Sequence, residues 1–411
     1  MPELARLVLA QICIHASMTG LRMAAVLLAL NQGARPLQVG GLMALFSMSQ
    51  VFLALPAGRF AERHGLKRPV GSSVLAAGAG AWLAALFPSY SVLCLAALLS
   101  GGATGAALIA LQRHVGRGAA DAMQLRRDFS RLAVGPAISS FIGPLSAGLL
   151  IDHAGPSPGA VSGFQAAFAA MALLPVVSWI LIRRMGELRA PRVVVAGPTA
   201  GKTTGSSSAW HLLKDNKLRR LLLVNWLLSS CWDVHAFMVP VLGFEKNFSA
   251  SSIGAITGAF ALAAATVRLA LPAFAEQLRE HIVITFAMLG AALLLVVYPF
   301  LGSALAMGTG SLLLGGVLGT VQPMAMSLLH QITPDGRHGQ ALALRQIVMN
   351  SSSVAMPVLF GTLGTVVGVT AVFWTTAAAL TLSAWSAWSM GQFLGALTAR
   401  DGAATGDKKP E

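Results

Sequence analysis

Charged residues are scarce in this chain of 411 residues: Asp, Glu, Lys and Arg together make up 11% of it. A soluble globular domain carries roughly 25%. Hydrophobic residues account for 55%, and the mean hydropathy is +0.70. Too few charges are present to cover a soluble surface, so the composition excludes a soluble globular protein and indicates a membrane protein with many spans.

Cysteine is also rare. The three cysteines, Cys13, Cys94 and Cys231, fall in separate apolar stretches without CxxC spacing, which excludes a disulfide framework and a cysteine-based metal site. No nucleophile and base stand in a suitable setting, so we predict that the protein is not an enzyme and needs no cofactor. The N-terminal segment MPELARLVLAQ lacks the basic cluster and cleavage site of a signal peptide, so the first apolar stretch should remain as a span.

The sequence contains twelve long apolar stretches, which make up most of its length. Each has about 20 residues or more, enough for a helix to cross a hydrocarbon core roughly 30 Å thick. They cover about residues 5–29, 37–61, 70–88, 91–113, 131–152, 163–184, 218–243, 250–275, 281–301, 304–330, 341–364 and 370–396. The predicted fold class is therefore an all-α membrane protein with twelve transmembrane helices.

The net charge of +14 has a simple distribution. If the N-terminus is cytoplasmic, 25 of the 29 Lys and Arg residues lie on the cytoplasmic side, and the exceptions are Arg22, Arg35, Lys246 and Arg268. This is the positive-inside bias of membrane proteins, so nucleic acid is not needed to explain the charge. We predict a multi-pass protein of a bacterial-type inner membrane with both termini in the cytoplasm.

The two halves of the chain are related by an offset of 214 residues, which aligns Glu62 with Glu276 and Arg131 with Arg345. Because charges are scarce, these matches favour a duplicated six-helix unit. The predicted organisation is a first bundle over 1–184, a cytoplasmic linker over 185–217, a second bundle over 218–396 and a cytoplasmic tail over 397–411. Parallel repeats of this kind occur in secondary transporters, with the substrate site between the halves.

The linker contains VVVAGPTAGKTT, which loosely resembles a phosphate-binding loop. Such a loop needs a strand, a following helix and a sheet that can hold a nucleotide. A short polar linker between membrane helices offers none of these. We therefore predict that the protein does not bind nucleotide.

The segment GRFAERHGLKR, residues 58–68, resembles the signature of the major facilitator superfamily. The positions of that signature are filled by Gly58, Glu62, Arg63, Gly65, Lys67 and Arg68, with Glu62 standing where Asp is usual. The resemblance implies two pseudo-symmetric six-helix bundles, a small-molecule substrate, transport by alternating access, and packing of span two beside span eleven and span five beside span eight.

The repeat extends this resemblance to a gating hypothesis. Glu62 and Arg345 should form one cytoplasmic contact, and Glu276 and Arg131 its pseudo-symmetric counterpart, when the central cavity opens to the outside. Gly58 should permit close helix approach in the same region. The alternative is that these charges are simply solvated at helix ends.

The segment SRLAVGPAISSFIGPLSAG, residues 130–148, resembles the antiporter signature of drug–proton exchangers in the same superfamily. Gly143, Pro144 and Gly148 fit it, and small residues there would let the two halves pack tightly. Those exchangers usually carry an arginine four residues before a glycine of span four, but here Ala97 precedes Gly101. The other interpretation is a glycine-rich membrane helix without an antiport function.

Few charged residues or histidines lie well inside the spans, and Asp233 is the only acid among them. It is the best candidate for a proton carrier. Its repeat counterpart, Thr19, lies three residues before Arg22, so Arg22 and Asp233 should face one cavity from opposite halves and pair or share a charged substrate. His15 continues the same face of span one. Alternatively, Arg22 is a structural cation that pairs with a backbone carbonyl.

The remaining candidate binding residues are Arg268 and the amides Gln11, Asn225 and Gln322. We interpret His235 and the tryptophans Trp82, Trp226 and Trp232 as packing or lipid-facing residues. The predicted function is proton-coupled efflux of a small amphiphilic or anionic organic molecule by a chain that works as a monomer. The alternatives are proton-symport uptake of an organic anion bound by Arg22 and Arg268, and a substrate sensor without transport.

Overall fold

The computed structural model describes residues 3–118, 122–186, 214–271, 279–333 and 338–405. The regular structure of these residues is helical. The helices are α1 (Glu3–Asn31), α2 (Pro36–His64), α3 (Lys67–Leu86), α4 (Tyr90–Gly118), α5 (Ala122–His153), α6 (Val161–Ile182), α7 (Asn216–Glu245), α8 (Ala250–Ala270), α9 (Glu280–Val297), α10 (Ala304–Gly319), α11 (Val321–Ile332), α12 (His338–Val366) and α13 (Val369–Thr405).

Twelve segments of these helices are long and apolar enough to cross a membrane, which confirms the predicted fold class. α10 and α11 follow one another and together form the tenth segment, so α12 is span eleven and α13 is span twelve. A short 3-10 turn, Tyr298–Phe300, ends span nine. Most of the predicted linker lies outside the described residues, and α13 continues to Thr405, into the predicted tail.

Polar residues mark where several helices begin and end. The Asp215 carboxylate accepts a hydrogen bond from the Lys217 backbone N–H at 2.8 Å and so caps α7. At the other end of a helix, Gly65 stops α2 with a φ of 76°, which the left-handed region allows for glycine at little cost. These local signals set the boundaries, whereas the apolar runs between them set the helix lengths.

The packing of the helices repeats between the two halves. α1 packs against α5 and α6, as α7 packs against α12 and α13. Likewise α2 packs against α4 as α8 packs against α10, and α3 against α6 as α9 against α13. In each comparison, the sequence offset of 214 residues relates the helix pair of the first half to the helix pair of the second half. The duplication in the sequence is thus also a duplication in packing.

The two halves meet mainly through α5 against α8 and α2 against α12, the pairs that the family resemblance implied. A Cβ atom at Gly148 would overlap the Ala250 carbonyl, and one at Gly254 would overlap the Pro144 carbonyl. At the second pair, a Cβ atom at Gly40 would overlap a carbonyl of α12. The absence of side chains at these glycines therefore lets the backbones of the two halves touch.

These contacts all lie near one face of the bundle, which we call the opposite face: it carries the loops after α1, α3, α5 and α7. The other face, the terminal face, carries the start of α1 and the turn between α2 and α3. Near this face the described glycines make no such contact between the halves. A Cβ atom at Gly58 would meet nothing within 4 Å, so the close approach expected at this glycine is absent in this conformation.

Candidate functional site

Among the described residues, Trp232 lines three cavities: two of them lie between the halves, and the third is lined by residues of the second half. The Arg22 cavity, about 100 Å³, lies between α1, α5, α7 and α8. The Asp233 cavity, about 290 Å³, lies between α7, α8, α11 and α12. The apolar cavity, about 360 Å³, lies mainly between α5 and α8. Among the described residues, Asp233 is the only acidic one that lines them, and no group of three or more potential metal ligands is found in that part of the chain.

The Arg22 cavity has a polar wall on α1. Thr19 and Arg22 line it from that helix, with Ser140 of α5 and Thr257 of α8 across from them. The Thr19 hydroxyl is directed away, since it donates to the Ser139 carbonyl of α5 at 3.1 Å. α5 can come this close because Gly143 has no Cβ atom; a Cβ there would overlap the Thr19 hydroxyl. Arg22 is therefore the charged group that this cavity presents to a ligand.

Polar residues make up most of the lining of the Asp233 cavity. The Asp233 carboxylate accepts a hydrogen bond from the Ser352 hydroxyl of α12 at 2.7 Å. Amide side chains from three helices line the same cavity, and with Ser353 and Arg268 they give it a polar wall. These amides are Asn225, Gln322, Gln346 and Asn350.

Arg22 and Asp233 attract each other but do not form an ion pair. Arg22 lines one cavity and Asp233 another, and Trp232 lines both. The Ser352 hydroxyl of α12 donates a hydrogen bond to the Asp233 carboxylate. The two charges are thus neighbours across a tryptophan rather than direct partners.

Arg268 is placed by the same tryptophan. Its guanidinium carbon lies over the Trp232 ring, 5.0 Å from the centroid, in a cation–π contact. Trp232 in turn meets Phe260 edge to face at 4.7 Å. The Arg268 Nε atom is buried without a hydrogen-bond partner.

Trp232 is the functional candidate that sequence reasoning missed. We interpreted it as a packing or lipid-facing residue, but it lies at the centre of the site. A usable signal was present: Trp232 follows Ser229 by three residues and Asn225 by seven, spacings that put all three on one helical face. The polar residues of that face mark it as the side turned to the cavity.

The other predicted binding residues fall into two groups. Gln322 lines two cavities, and Asn225 lines one and leaves its buried Nδ2 atom without a partner. His15 and Gln11 line none of the three, although each has a buried side-chain atom without a partner, Nδ1 and Oε1 respectively. His15 lies close enough to Arg22 to interact with its charge.

His235 takes part in packing, as we interpreted it. Its Nε2 atom lies 2.8 Å from the Ser311 hydroxyl, which in turn lies 2.7 Å from the Tyr298 hydroxyl. The imidazole ring stacks on Phe260 with centroids 4.0 Å apart. One edge of the ring still reaches the Arg22 cavity. The chain of hydrogen bonds ties α7 to α10 and to the turn after α9.

The predicted gating residues are not joined in this conformation. Glu62 is exposed, and no ion pair links it to Arg345, which is 8% exposed and leaves Nε and one terminal nitrogen without a hydrogen-bond partner. Arg131 is exposed, and its predicted partner Glu276 lies outside the described residues. Arg113 donates to the Glu62 backbone carbonyl at 3.0 Å. The basic residues of this segment, Arg63, Lys67 and Arg68, are exposed or half-buried.

The sequence profile of the Major Facilitator Superfamily matches residues 7–329 and, a second time, residues 221–395. No curated protein matches the chain.

Several solved transporter structures share the fold. A D-xylose–proton symporter is 12% identical and has a TM-score of 0.76, covering 93% of this chain and 96% of that one. A bacterial homologue of the human lysosomal transporter Spinster, inward-facing and occupied, is 11% identical with a TM-score of 0.76, covering 95% and 96%. The nucleoside transporter NupG is 13% identical, with a TM-score of 0.72 over 95% and 99%. At such low identity these similarities concern the fold alone.

Proposed function

The chain belongs to the major facilitator superfamily of non-enzymatic secondary transporters, and we propose that it moves a small organic molecule in exchange or in company with protons. The substrate passes through the cavities around Trp232, and Asp233 carries the proton. The protein is a multi-pass membrane protein with twelve spans. Transport by alternating access then needs a rocking motion of one half against the other about this site.

The observation that carries this proposal is the position of Asp233. Among the described residues it is the only acid that lines the three cavities around Trp232, which Arg22 and Arg268 also line. Acidic residues inside membrane spans are costly, and proton relays are one of their established uses. The Ser352 hydroxyl can donate to the charged carboxylate or accept from the protonated one, so it supports both states.

The conformation fits one end state of the transport cycle. The halves touch at the opposite face through Gly148 and Gly40, whereas a Cβ atom at Gly58, near the terminal face, would meet nothing within 4 Å. We place the terminal face in the cytoplasm of a bacterial-type membrane because the basic residues collect there. On this assignment the cavity faces the cytoplasm, and the predicted contact between Glu62 and Arg345 belongs to the other end state.

Two coupling modes follow from different observations. The α5 segment with Gly143, Pro144 and Gly148 favours exchange, in which protons enter as an amphiphilic molecule leaves, as in the drug–proton exchangers that this segment resembles. Arg268 and Asp233 line the same cavity, and this arrangement favours uptake of an anion together with protons. We carry both modes into the test and propose the monomer as the working unit, since one chain contains both halves.

The test compares the wild type, Asp233→Asn and Arg22→Ala in a pump-deficient bacterial strain with equal amounts of each protein in the membrane. Asn keeps an oxygen for Ser352 but cannot release a proton. Growth is measured against a panel of toxic amphiphiles and organic anions, with Asp215→Asn as the control because Asp215 caps α7 away from the cavities.

Each outcome of this experiment has a direct meaning. Resistance that the wild type confers and Asp233→Asn loses supports export coupled to protons. Sensitivity to an anion that Asp233→Asn abolishes supports uptake. If Asp233→Asn behaves like the wild type toward every compound that the wild type transports, Asp233 is not the proton carrier.

A further inference from the structure

Two side chains that line the Asp233 cavity carry hydrogen-bond donors without a partner among the described residues. The Arg268 Nε atom and the Asn225 Nδ2 atom are both buried without a partner, and both side chains line this cavity. A buried donor without an acceptor costs free energy comparable to a lost hydrogen bond, and more when the donor is charged. Two such donors on neighbouring helices, α7 and α8, indicate a ligand that supplies acceptor oxygens.

The charge of the site narrows that ligand to an anion. Arg22 and Arg268 bring two positive charges to the cavities around Trp232, and Asp233 brings one negative charge. Asp233 is attracted to Arg22, whereas no acidic group among the described residues acts on Arg268. A guanidinium binds a carboxylate or a similar acid group through charge-assisted hydrogen bonds. Within the described part of the chain, this leaves one guanidinium without an acidic partner, which suits a ligand with a single negative charge.

The apolar cavity next to Arg268 indicates the rest of the molecule. It is about 360 Å³ in volume and shares Arg268, Gln322 and Trp232 with the Asp233 cavity. Apart from these residues, its lining is mostly aliphatic. Its apolar residues include Val134, Pro136, Ala137, Ala261, Ala265 and Leu269. An apolar body of modest size fits there while its acid group reaches Arg268.

We propose that the substrate is an amphiphilic organic monoanion, with its acid group bound by Arg268 and Asn225 and its apolar body in the cavity between α5 and α8. This inference rests on the proposed transport function and adds the substrate class. Trp232 acts as a positioning residue, because its ring fixes the Arg268 guanidinium through the cation–π contact.

The inference also selects a coupling mode. Among the described residues, the charged and titratable groups around Asp233 are Arg22 on α1, Arg268 on α8 and Cys231 on its own helix. α11 and α12 face it with amides and serines. A second negative charge in this cavity repels the Asp233 carboxylate, so anion and proton favour each other's binding, and the effect is reciprocal. The anion and the proton then travel together, which is symport; a cation would instead compete with the proton.

The test uses the purified full-length protein and pairs of probes that differ only in charge. Binding of benzenesulfonate, benzoate and hexanoate is measured by calorimetry beside the neutral benzenesulfonamide, benzamide and hexanamide. Proton exchange on binding is measured with a pH indicator in weak buffer across a pH titration. The variants are Arg268→Gln, Arg268→Lys and Asp233→Asn, with Arg279→Gln as a matched control, since Arg279 is exposed and lies outside the cavities.

We expect the anions to bind and the neutral probes to bind far more weakly. Arg268→Gln should weaken anion binding on the order of 10- to 100-fold, as expected for loss of a hydrogen bond to a charged group. The anion affinity of Arg268→Lys should lie between those of Arg268→Gln and the wild type. The anion affinity of Arg279→Gln should equal that of the wild type. Anion binding should take a proton from solution, and Asp233→Asn should bind the anion without that uptake. A thermal melt of each variant in the absence of probe checks that it folds.

The inference would be overturned if the wild type bound no anion in the panel, or if Arg268→Gln bound the anions as tightly as the wild type. Tighter binding of neutral or cationic probes than of anions, or release of a proton on anion binding, would also overturn it. Transport in liposomes separates this inference from the proposed function. Anion binding with proton uptake but no transport would leave the substrate class standing and remove the transport function. Transport of neutral or cationic molecules alone would leave the transport function standing and remove the proposed substrate class.

Discussion

Asp152 is predicted to hold the opposite face closed. It lies near the end of α5, in the first half, and its carboxylate accepts hydrogen bonds from α8, in the second half: Ala250 N–H to Oδ1 at 3.1 Å and Ser251 N–H to Oδ2 at 2.7 Å. These are among the first N–H groups of α8, which have no partner within the helix. The next one, Ser252 N–H, donates to the Ser249 hydroxyl. Asp152 thus completes the cap of a helix that belongs to the other half.

The substitution Asp152→Ala removes both bonds and the negative charge near the positive end of α8. Loss of a capping side chain costs about 1–2 kcal/mol, and the half-buried position keeps the charge contribution within that range. Because the two bonds can form only while the opposite face is closed, this free energy is lost from the closed state alone. The ratio of open to closed molecules should therefore rise on the order of 5- to 30-fold.

The assay is a distance measurement between spin labels at the opposite face. The native cysteines are replaced, and cysteines for labelling are placed at the exposed positions Ser157, after α5, and Glu245, at the end of α7. Asp152→Ala should shift the distance distribution toward longer values. The control is Asp215→Ala, which removes a cap within the second half and should leave the distribution unchanged. An unchanged distribution in Asp152→Ala would refute the reasoning.

Three further predictions concern the gates and the packing. Gly148→Leu should block closure at the opposite face and abolish transport, measured by uptake into vesicles, whereas Gly302→Ala, where a Cβ meets nothing within 4 Å, should transport normally. Arg345→Glu should impair transport, and Glu62→Arg in the same chain should restore it; purely additive losses would contradict the gate contact. Tyr298→Phe removes a buried hydroxyl that bonds to α10, so it should lower the free energy of unfolding by about 1–3 kcal/mol, seen as a lower melting temperature with transport retained; an unchanged melting temperature would count against it.

The sequence by itself determined the architecture. Lipid leaves no partner for an exposed backbone group, so a span must be a helix of about 20 apolar residues, and such runs can be counted directly. The repeat was visible because charges are scarce: Glu62 and Arg131 could be matched with Glu276 and Arg345 without competition from many other charges. The same scarcity identified Asp233 as the one acid deep in the spans.

The arrangement of the site was decided only by the tertiary structure. The sequence predicted that Arg22 and Asp233 face one cavity, but it could not show that Ser352, 119 residues from Asp233, donates a hydrogen bond to the carboxylate from α12. The role of Trp232 likewise depends on Arg268 crossing its ring from another helix. A hydrophobic pattern shows which residues are apolar, but not which helix lies against which face. Contacts of this kind depend on helix tilt and rotation, which packing over the whole bundle determines.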